Sequence, residues 1–323
     1  MSFEIGGSVV VICGGVGAAR FLRGLVQVVA PERVTAVVNT GDDLRLHGLA
    51  ISPDLDTCTY TLADAINPET GWGLVGETWN ARATLERYGG QTWFGLGDRD
   101  LGTHLYRTQR LTEGASLTQV TAEIAGAWNL GLHLLPMTDD PVRTHVVTEA
   151  GERLEFQRYF VERQHRDHIV AIDFAGVERA RPAPGVLEAI ATAGVVVIAP
   201  SNPFVSIAPV LAVPGVRDAI FARRDAAVCI SPIIGGAAVK GPAADLMRSL
   251  GHDVSALGVA RLMADICGHF VLDEIDAELA PLVAATGLEP VVTDTMMSDH
   301  RIAAELARTT LSAVTGGTST QGA

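Results

Sequence analysis

Four aspartates, Asp42, Asp43, Asp54 and Asp56, fall within fifteen positions, and they are the residues whose type and spacing most directly imply chemistry. Thr40-Gly41-Asp42-Asp43 closes an apolar run, and Ile51-Ser52-Pro53-Asp54-Leu55-Asp56-Thr57 opens a helical pattern, with Asp56 or Thr57 as the expected cap. Turn and cap chemistry accounts for any one of these carboxylates. It accounts less well for four, because clustered like charges repel unless a cation or a proton intervenes. Hard oxygen ligands of this kind suit Mg²⁺.

A second group precedes them. Val9-Val10-Val11-Ile12-Cys13 reads as a strand buried on both faces, and Gly14-Gly15-Val16-Gly17 follows it directly. Glycines allow a sharp turn and a close backbone approach to a ligand. A helix N-terminus beyond such a turn favours an anion through its free N–H groups and dipole. The spacing departs from the dinucleotide pattern G-x-G-x-x-G, and no Gly-Lys-Ser/Thr follows to make a P-loop. Taken alone, the same turn would serve a strand-to-helix junction with no ligand.

The elements that must position these groups follow an alternating pattern. Val34–Asn39 is a second buried strand and ends at the aspartate turn. Val195–Ala199 ends in Pro200-Ser201-Asn202-Pro203, and Ala226–Ile230 ends in Ser231-Pro232-Ile233-Ile234-Gly235-Gly236. Helices are expected at Ala18–Val29, Thr78–Tyr88, Gly185–Ala193, Ala243–Leu250, Ala256–Cys267 and His300–Val314, with a capping box at Ser116–Gln119. Strands alternating with helices predict a Rossmann-like α/β fold with a doubly wound, mainly parallel sheet. In that fold the four turns meet at the carboxyl ends of their strands, where ligands bind. The pattern is expected to form one domain over residues 1–315, with an α+β insertion at about 66–165 and a disordered tail at 316–323. Inside the insertion, strands are expected near Thr144–Thr148 and Leu154–Tyr159. The Trp72, Trp79 and Trp93 region offers either a stacking wall or ordinary core.

Bulk properties exclude several classes. The chain has 323 residues, 48% of them apolar, which argues for a folded protein. A formal net charge of −13 argues against a broad nucleic-acid or anionic-membrane surface. An anionic ligand would then need local positive groups, backbone amides or a metal. Cys13, Cys58, Cys229 and Cys267 form no C-x-x-C and are expected as free thiols. With no signal pattern and no long apolar run, a soluble cytoplasmic protein is expected.

Seven motifs occur in order: Gly-Gly-Val-Gly-Ala-Ala-Arg-Phe-Leu, Asn-Thr-Gly-Asp-Asp, Ile-Ser-Pro-Asp-Leu-Asp-Thr, Gly-Leu-Gly-Asp-Arg-Asp, Leu-Pro-Met-Thr-Asp-Asp-Pro-Val, Ala-Pro-Ser-Asn-Pro and Ser-Pro-Ile-Ile-Gly-Gly. Across about residues 8–312 the chain resembles the 2-phospho-L-lactate transferase family of coenzyme F420 biosynthesis, nearer its actinobacterial phosphoenolpyruvate-using branch. The resemblance implies that the terminal ribityl hydroxyl of the deazaflavin Fo attacks the distal phosphorus of a guanosine diphosphate diester. The diester carries lactate or enolpyruvate, GMP leaves, and Mg²⁺ is required. Gly14, Gly15, Gly17, Arg20, Ser201, Asn202, Gly235, Gly236 and Lys240 would then hold the nucleotide. Asp42, Asp43 and Asp56 would carry the metal, with Asp43, Asp54 and Asp56 as catalytic candidates. The expected partners are Fo and the guanosine diphosphate-linked acid, with a homodimer as the assembly to test and neither nucleic acid nor membrane. One rival is a nucleotide-sugar-binding regulatory relative of the same superfamily. Another, an NAD-dependent oxidoreductase, is disfavoured because Asn39 stands where a ribose-binding carboxylate would end the second strand.

Overall fold

The computed structural model of the chain describes residues 6–316. The stretch 316–323, expected to be disordered, lies outside the described residues apart from Gly316.

Val9–Cys13 is fully buried, as its unbroken apolar sequence requires of a strand covered on both faces. It is parallel to Val34–Val38 on one side and to Val195–Ile198 on the other. The sheet has seven strands, all parallel, in the order Glu289–Val292, His269–Leu272, Ala227–Ile230, Val195–Ile198, Val9–Cys13, Val34–Val38, His133–Pro136. The α/β doubly wound, Rossmann-like sheet expected from the sequence is therefore present. Alternate side chains feed two cores: Val10 and Ile12 join one face, Val9, Val11 and Cys13 the other. The strand order reverses between Val9–Cys13 and Val195–Ile198, which makes the crevice at their carboxyl ends the switch point of the sheet.

Most expected elements form, with shifted ends. The first helix spans Gly15–Leu25, so it begins inside the glycine turn rather than after it. The helix after Ser52 begins at Pro53, with Ser52 as N-cap; Asp54 and Asp56 lie in its first turn, and neither Asp56 nor Thr57 caps it. The Ser116–Gln119 capping box forms, with both reciprocal hydrogen bonds. The interval 66–165 contains the edge strand His133–Pro136 of the main sheet. Further structure lies on both sides of that strand: a Leu44–Leu46/Leu49–Ile51 hairpin and the helices Pro53–Leu62, Asn80–Arg87, Asp100–Thr112 and Leu117–Ala127 before it, and an antiparallel sheet of Arg143–Thr148, Arg153–Glu155 and Ile169–Ala175 after it. The strand expected over Leu154–Tyr159 stops at Glu155, and Arg158–Glu162 forms one π-helical turn instead. Among the described residues, no helix is long and apolar enough to cross a membrane.

Gly24 sits where the Gly15–Leu25 helix crosses the His300–Thr315 helix. A Cβ added there would lie 2.3 Å from the carbonyl carbon of Ala303. Alanine normally favours a helix interior over glycine by about 1 kcal/mol. Here overpacking should dominate, and Gly24→Ala is expected to destabilise by about 1–3 kcal/mol. A urea midpoint at or above wild type would show that the two helices yield freely.

Candidate active site

A cavity of about 490 Å³ opens at the switch point and is lined by Gly14–Gly17, Asp42, Pro200–Asn202 and Ser231–Pro232, among others. The four strand-end turns thus converge as the parallel sheet demands. Gly15 has φ +73°, a left-handed conformation that a β-branched residue resists. Gly17 serves a close approach: a Cβ there would stand 2.3 Å from the carbonyl oxygen of Pro200. Ser201 Oγ donates to the Gly14 carbonyl at 2.9 Å and joins the two switch-point loops.

Asn39, at the end of its strand and fully buried, organises the aspartates. Its Nδ2 donates to Asp42 Oδ1 at 2.6 Å, to Asp54 Oδ2 at 2.9 Å and to the Val205 carbonyl at 3.2 Å. The Gly41 N–H donates to Asn39 Oδ1 at 2.8 Å, which fixes the amide orientation because a backbone N–H can only donate. Gln157 Nε2 donates to the other Asp42 oxygen at 3.1 Å. Asp43 Oδ2 accepts from Ser52 Oγ at 2.7 Å, while its Oδ1 is buried with no hydrogen-bond partner.

Burial dominates the acidity of this group. It raises Asp42 well above the carboxylate range, helped by the charges of Asp54 and Asp43. It raises Asp43 to about 7, against the Ser52 hydroxyl and the charges of Arg143 and Arg107. It raises Asp54 to about 6, against the Asn39 amide and the Gly15 N–H. Carboxyls so poised can hold or release protons near neutral pH, or hold a cation that relieves their repulsion.

Beside this group lies a buried network on the helix Asp100–Thr112. Arg107 Nη1 donates to Asp56 Oδ2 at 3.1 Å, and Nη2 donates to Asp56 Oδ1. His104 Nε2 lies 3.1 Å from Asp100 Oδ2. Tyr60 Oη donates to Asp100 Oδ1 at 2.7 Å. Burial works against ionised Asp100, but His104, Tyr60 and Arg107 hold it below the usual range. Asp56, Asp100 and His104 bring one ligand atom each to within 4.8 Å of one another. The Arg107 guanidinium takes both Asp56 oxygens.

Comparison with known proteins follows this geometry. The sequence profile of the family described as 2-phospho-L-lactate transferase CofD matches residues 9–311. The chain belongs to the 2-phospho-L-lactate transferase family. It is 46% identical over 309 residues to a protein of Kitasatospora aureofaciens named phosphoenolpyruvate transferase, covering 94% of this chain and 96% of that one. A protein of the same name from Thermobifida fusca is 44% identical over 314 residues, covering 93% and 95%. The crystal structure of Bacillus halodurans protein BH3568, 20% identical, shares the fold at a TM-score of 0.65, covering 94% of this chain and 99% of that one.

In this family member Gly14, Gly15, Gly17, Arg20, Asp42, Asp54, Asp56, Ser201, Asn202 and Lys240 all line the cavity. Asp43, Gly235 and Gly236 do not. Asp43 is bonded to Ser52 and acts on the site through its charge on Asp42. Gly235 and Gly236 form the turn of the Ile233–Ile234/Ala237–Ala238 hairpin, and the Gly235 N–H is spent on Asp276 at 3.0 Å, so it is not available to a nucleotide. Lys240 Nζ donates to the Thr70 carbonyl across the cavity mouth; partial burial and the Arg20 charge lower its amine. Of the tryptophans, Trp72 lines the cavity, Trp79 packs edge-on to Trp72, and Trp93 packs edge-on to Phe94 in a small satellite core.

The sequence reading missed Asn39 as an organiser, Gln157, and the Asp100–His104–Arg107 face. The last had a signal: Leu101, His104, Leu105, Thr108 and Leu111 follow helical spacing after the Gly-Asp-Arg-Asp turn.

A carboxyl raised by burial binds more protons folded than unfolded. The cation-free protein therefore loses stability as pH rises from about 4 through the 6–7 range of Asp54 and Asp43. Asp54→Asn removes the cost of ionising one buried group. In EDTA its Tm is expected to exceed wild type at about pH 8, with the difference closing toward about pH 4. A larger difference at the acid end contradicts this account of the site.

Proposed function

We propose that the protein is a transferase of coenzyme F420 biosynthesis. It moves a phosphoenolpyruvyl or 2-phospholactyl group from a guanosine diphosphate diester to the terminal ribityl hydroxyl of Fo, with release of GMP. The observation that carries this reading is the placement of Asp42 and Asp54 beside the glycine turn, at the switch point of a chain belonging to this family. The names of the curated relatives favour the enolpyruvyl group.

The residues present fit Mg²⁺. Asp42 and Asp54 are buried, face the cavity and raise each other's affinity for positive charge. These two carboxylates would hold the ion, which supplies charge neutralisation to a diphosphate that an acidic chain otherwise repels. Phosphoryl transfer needs positioning and charge stabilisation more than covalent help. On the donor side, Asn202 presents a buried Nδ2 with no hydrogen-bond partner, a donor ready for a nucleotide oxygen. Arg20 and Lys240 stand at the mouth to meet the diphosphate. On the acceptor side, Trp72 and Phe94 offer an apolar wall for a flat ring, and Asp56 offers a fixed carboxylate to a ribityl hydroxyl. Asp56, which lines the cavity and is not one of the two proposed ion ligands, is the carboxylate placed to accept a hydrogen bond from the attacking hydroxyl.

Purified protein with Fo, Mg²⁺ and each of the two candidate donors, read by mass spectrometry, tests the reading. Product from the enolpyruvyl donor is expected, abolished by EDTA and restored by Mg²⁺. No product with either donor, or full turnover in EDTA, would refute it.

A further inference from the structure

We infer that Arg107 is a positioning residue for the acceptor side of this reaction, acting through Asp56. The inference rests on the function proposed above and extends it to a residue outside the glycine and aspartate motifs.

Arg107 is 2% exposed and projects from the middle of the Asp100–Thr112 helix. Its two terminal nitrogens grip both oxygens of Asp56, which itself lines the cavity. A planar fork fixes a carboxylate's direction as well as its charge, which a single ammonium does not. The fork is itself braced. Nη1 lies 3.3 Å from His104 Nδ1, and a guanidinium can only donate, so Nδ1 accepts and the ring hydrogen sits on Nε2. His104 Nε2 lies 3.1 Å from Asp100 Oδ2, and Asp100 is held in turn by Tyr60 and by its own N–H to Glu77 Oε1 at 2.8 Å. The helix is tied to the aspartate-bearing segment at a second point, where Ala50 N–H donates to Thr108 Oγ1 at 2.8 Å.

The acceptor is a primary alcohol on a flexible chain. Its oxygen must be held within about 3–3.5 Å of the phosphorus for transfer, and misplacement by about 1 Å costs on the order of 10²-fold. A carboxylate that cannot swing supplies that constraint. The alternative occupant of the same group, a cation between Asp56, Asp100 and His104, would have to displace the guanidinium and leave it buried without a partner.

A kinetic double-mutant cycle tests the inference, using wild type, Arg107→Gln, Asp56→Asn and the double variant, with Arg107→Lys alongside. Turnover and the KM of each substrate are measured, and Tm is recorded throughout. Arg107→Lys is expected to fold, to lose about tenfold or more in kcat/KM for Fo, and to keep the donor KM within about twofold. The double variant is expected to turn over no more slowly than Asp56→Asn alone, because Arg107 acts through that carboxylate. If Arg107→Gln fails to fold, the double variant, which leaves no unpaired buried charge, and Arg107→Lys still decide. Losses that multiply in the double variant, or an Arg107→Lys enzyme equal to wild type, overturn the role of Arg107 while wild type still makes product. A wild-type protein that makes no product brings down the functional reading and this inference together.

Discussion

One amide side chain sets the terms for this site. Asn39 ends a fully buried strand and donates from a single nitrogen to Asp42, Asp54 and the Val205 carbonyl. It thereby joins the second strand's turn, the start of the Pro53–Leu62 helix and the Pro203–Ile207 turn after Ser201 and Asn202. An acidic residue in its place would add a fifth carboxylate to a buried cluster and could not donate. The amide satisfies the carboxylates without neutralising them, and the remaining negative potential is what a divalent cation or a bound proton would answer. Under the proposed function, the stability cost of this cluster would be the counterpart of a site that attracts a cation.

The second feature is the division of the cavity by charge. Arg20 and Lys240 line the cavity from exposed positions, where salt and solvent temper their charge. Arg107, by contrast, is deep and committed to Asp56. In the proposed reaction, a chain of net charge −13 would thus separate attraction of an anionic donor from orientation of a neutral acceptor. The Asp100–Thr112 helix, the small antiparallel sheet through Gln157 and the loop at Trp72 all reach the cavity from added structure on either side of the His133–Pro136 edge strand.

The parallel sheet was legible because four of its strands, Val9–Cys13, Val34–Val38, Val195–Ile198 and Ala227–Ile230, are buried along their whole length and each ends in a small polar turn. That pattern holds whatever surrounds it. Gly14, Gly15 and Gly17 were legible for the same reason: the turn at Gly15 needs positive φ, and Gly17 needs a missing Cβ. The helix bounds were less so, because the glycine turn is itself helical from Gly15, which no glycine preference announces. Asp43 adjoins Asp42 in the same turn but bonds Ser52 while Asp42 lines the cavity; neighbouring residues in a turn diverge, and only packing decides which one faces in. Gly235 and Gly236 look like a second phosphate turn in sequence, yet Asp276, 41 residues on, accepts from the Gly235 amide. Arg107 was invisible as a partner of Asp56 because the pair is 51 positions apart and its helix follows an irregular segment.

The central claim is that Asp42 and Asp54, held by Asn39 at the switch point, form the cation site of the enzyme, and that Asp56, Asp100 and His104 do not. Anomalous diffraction from crystals grown with Mn²⁺ and GDP locates the ion directly. The account predicts an anomalous peak at the Asp42 and Asp54 carboxylates, and none at the Asp56–Asp100–His104 group. A peak at that group with Arg107 displaced, or no peak beside Asp42 and Asp54, would contradict it.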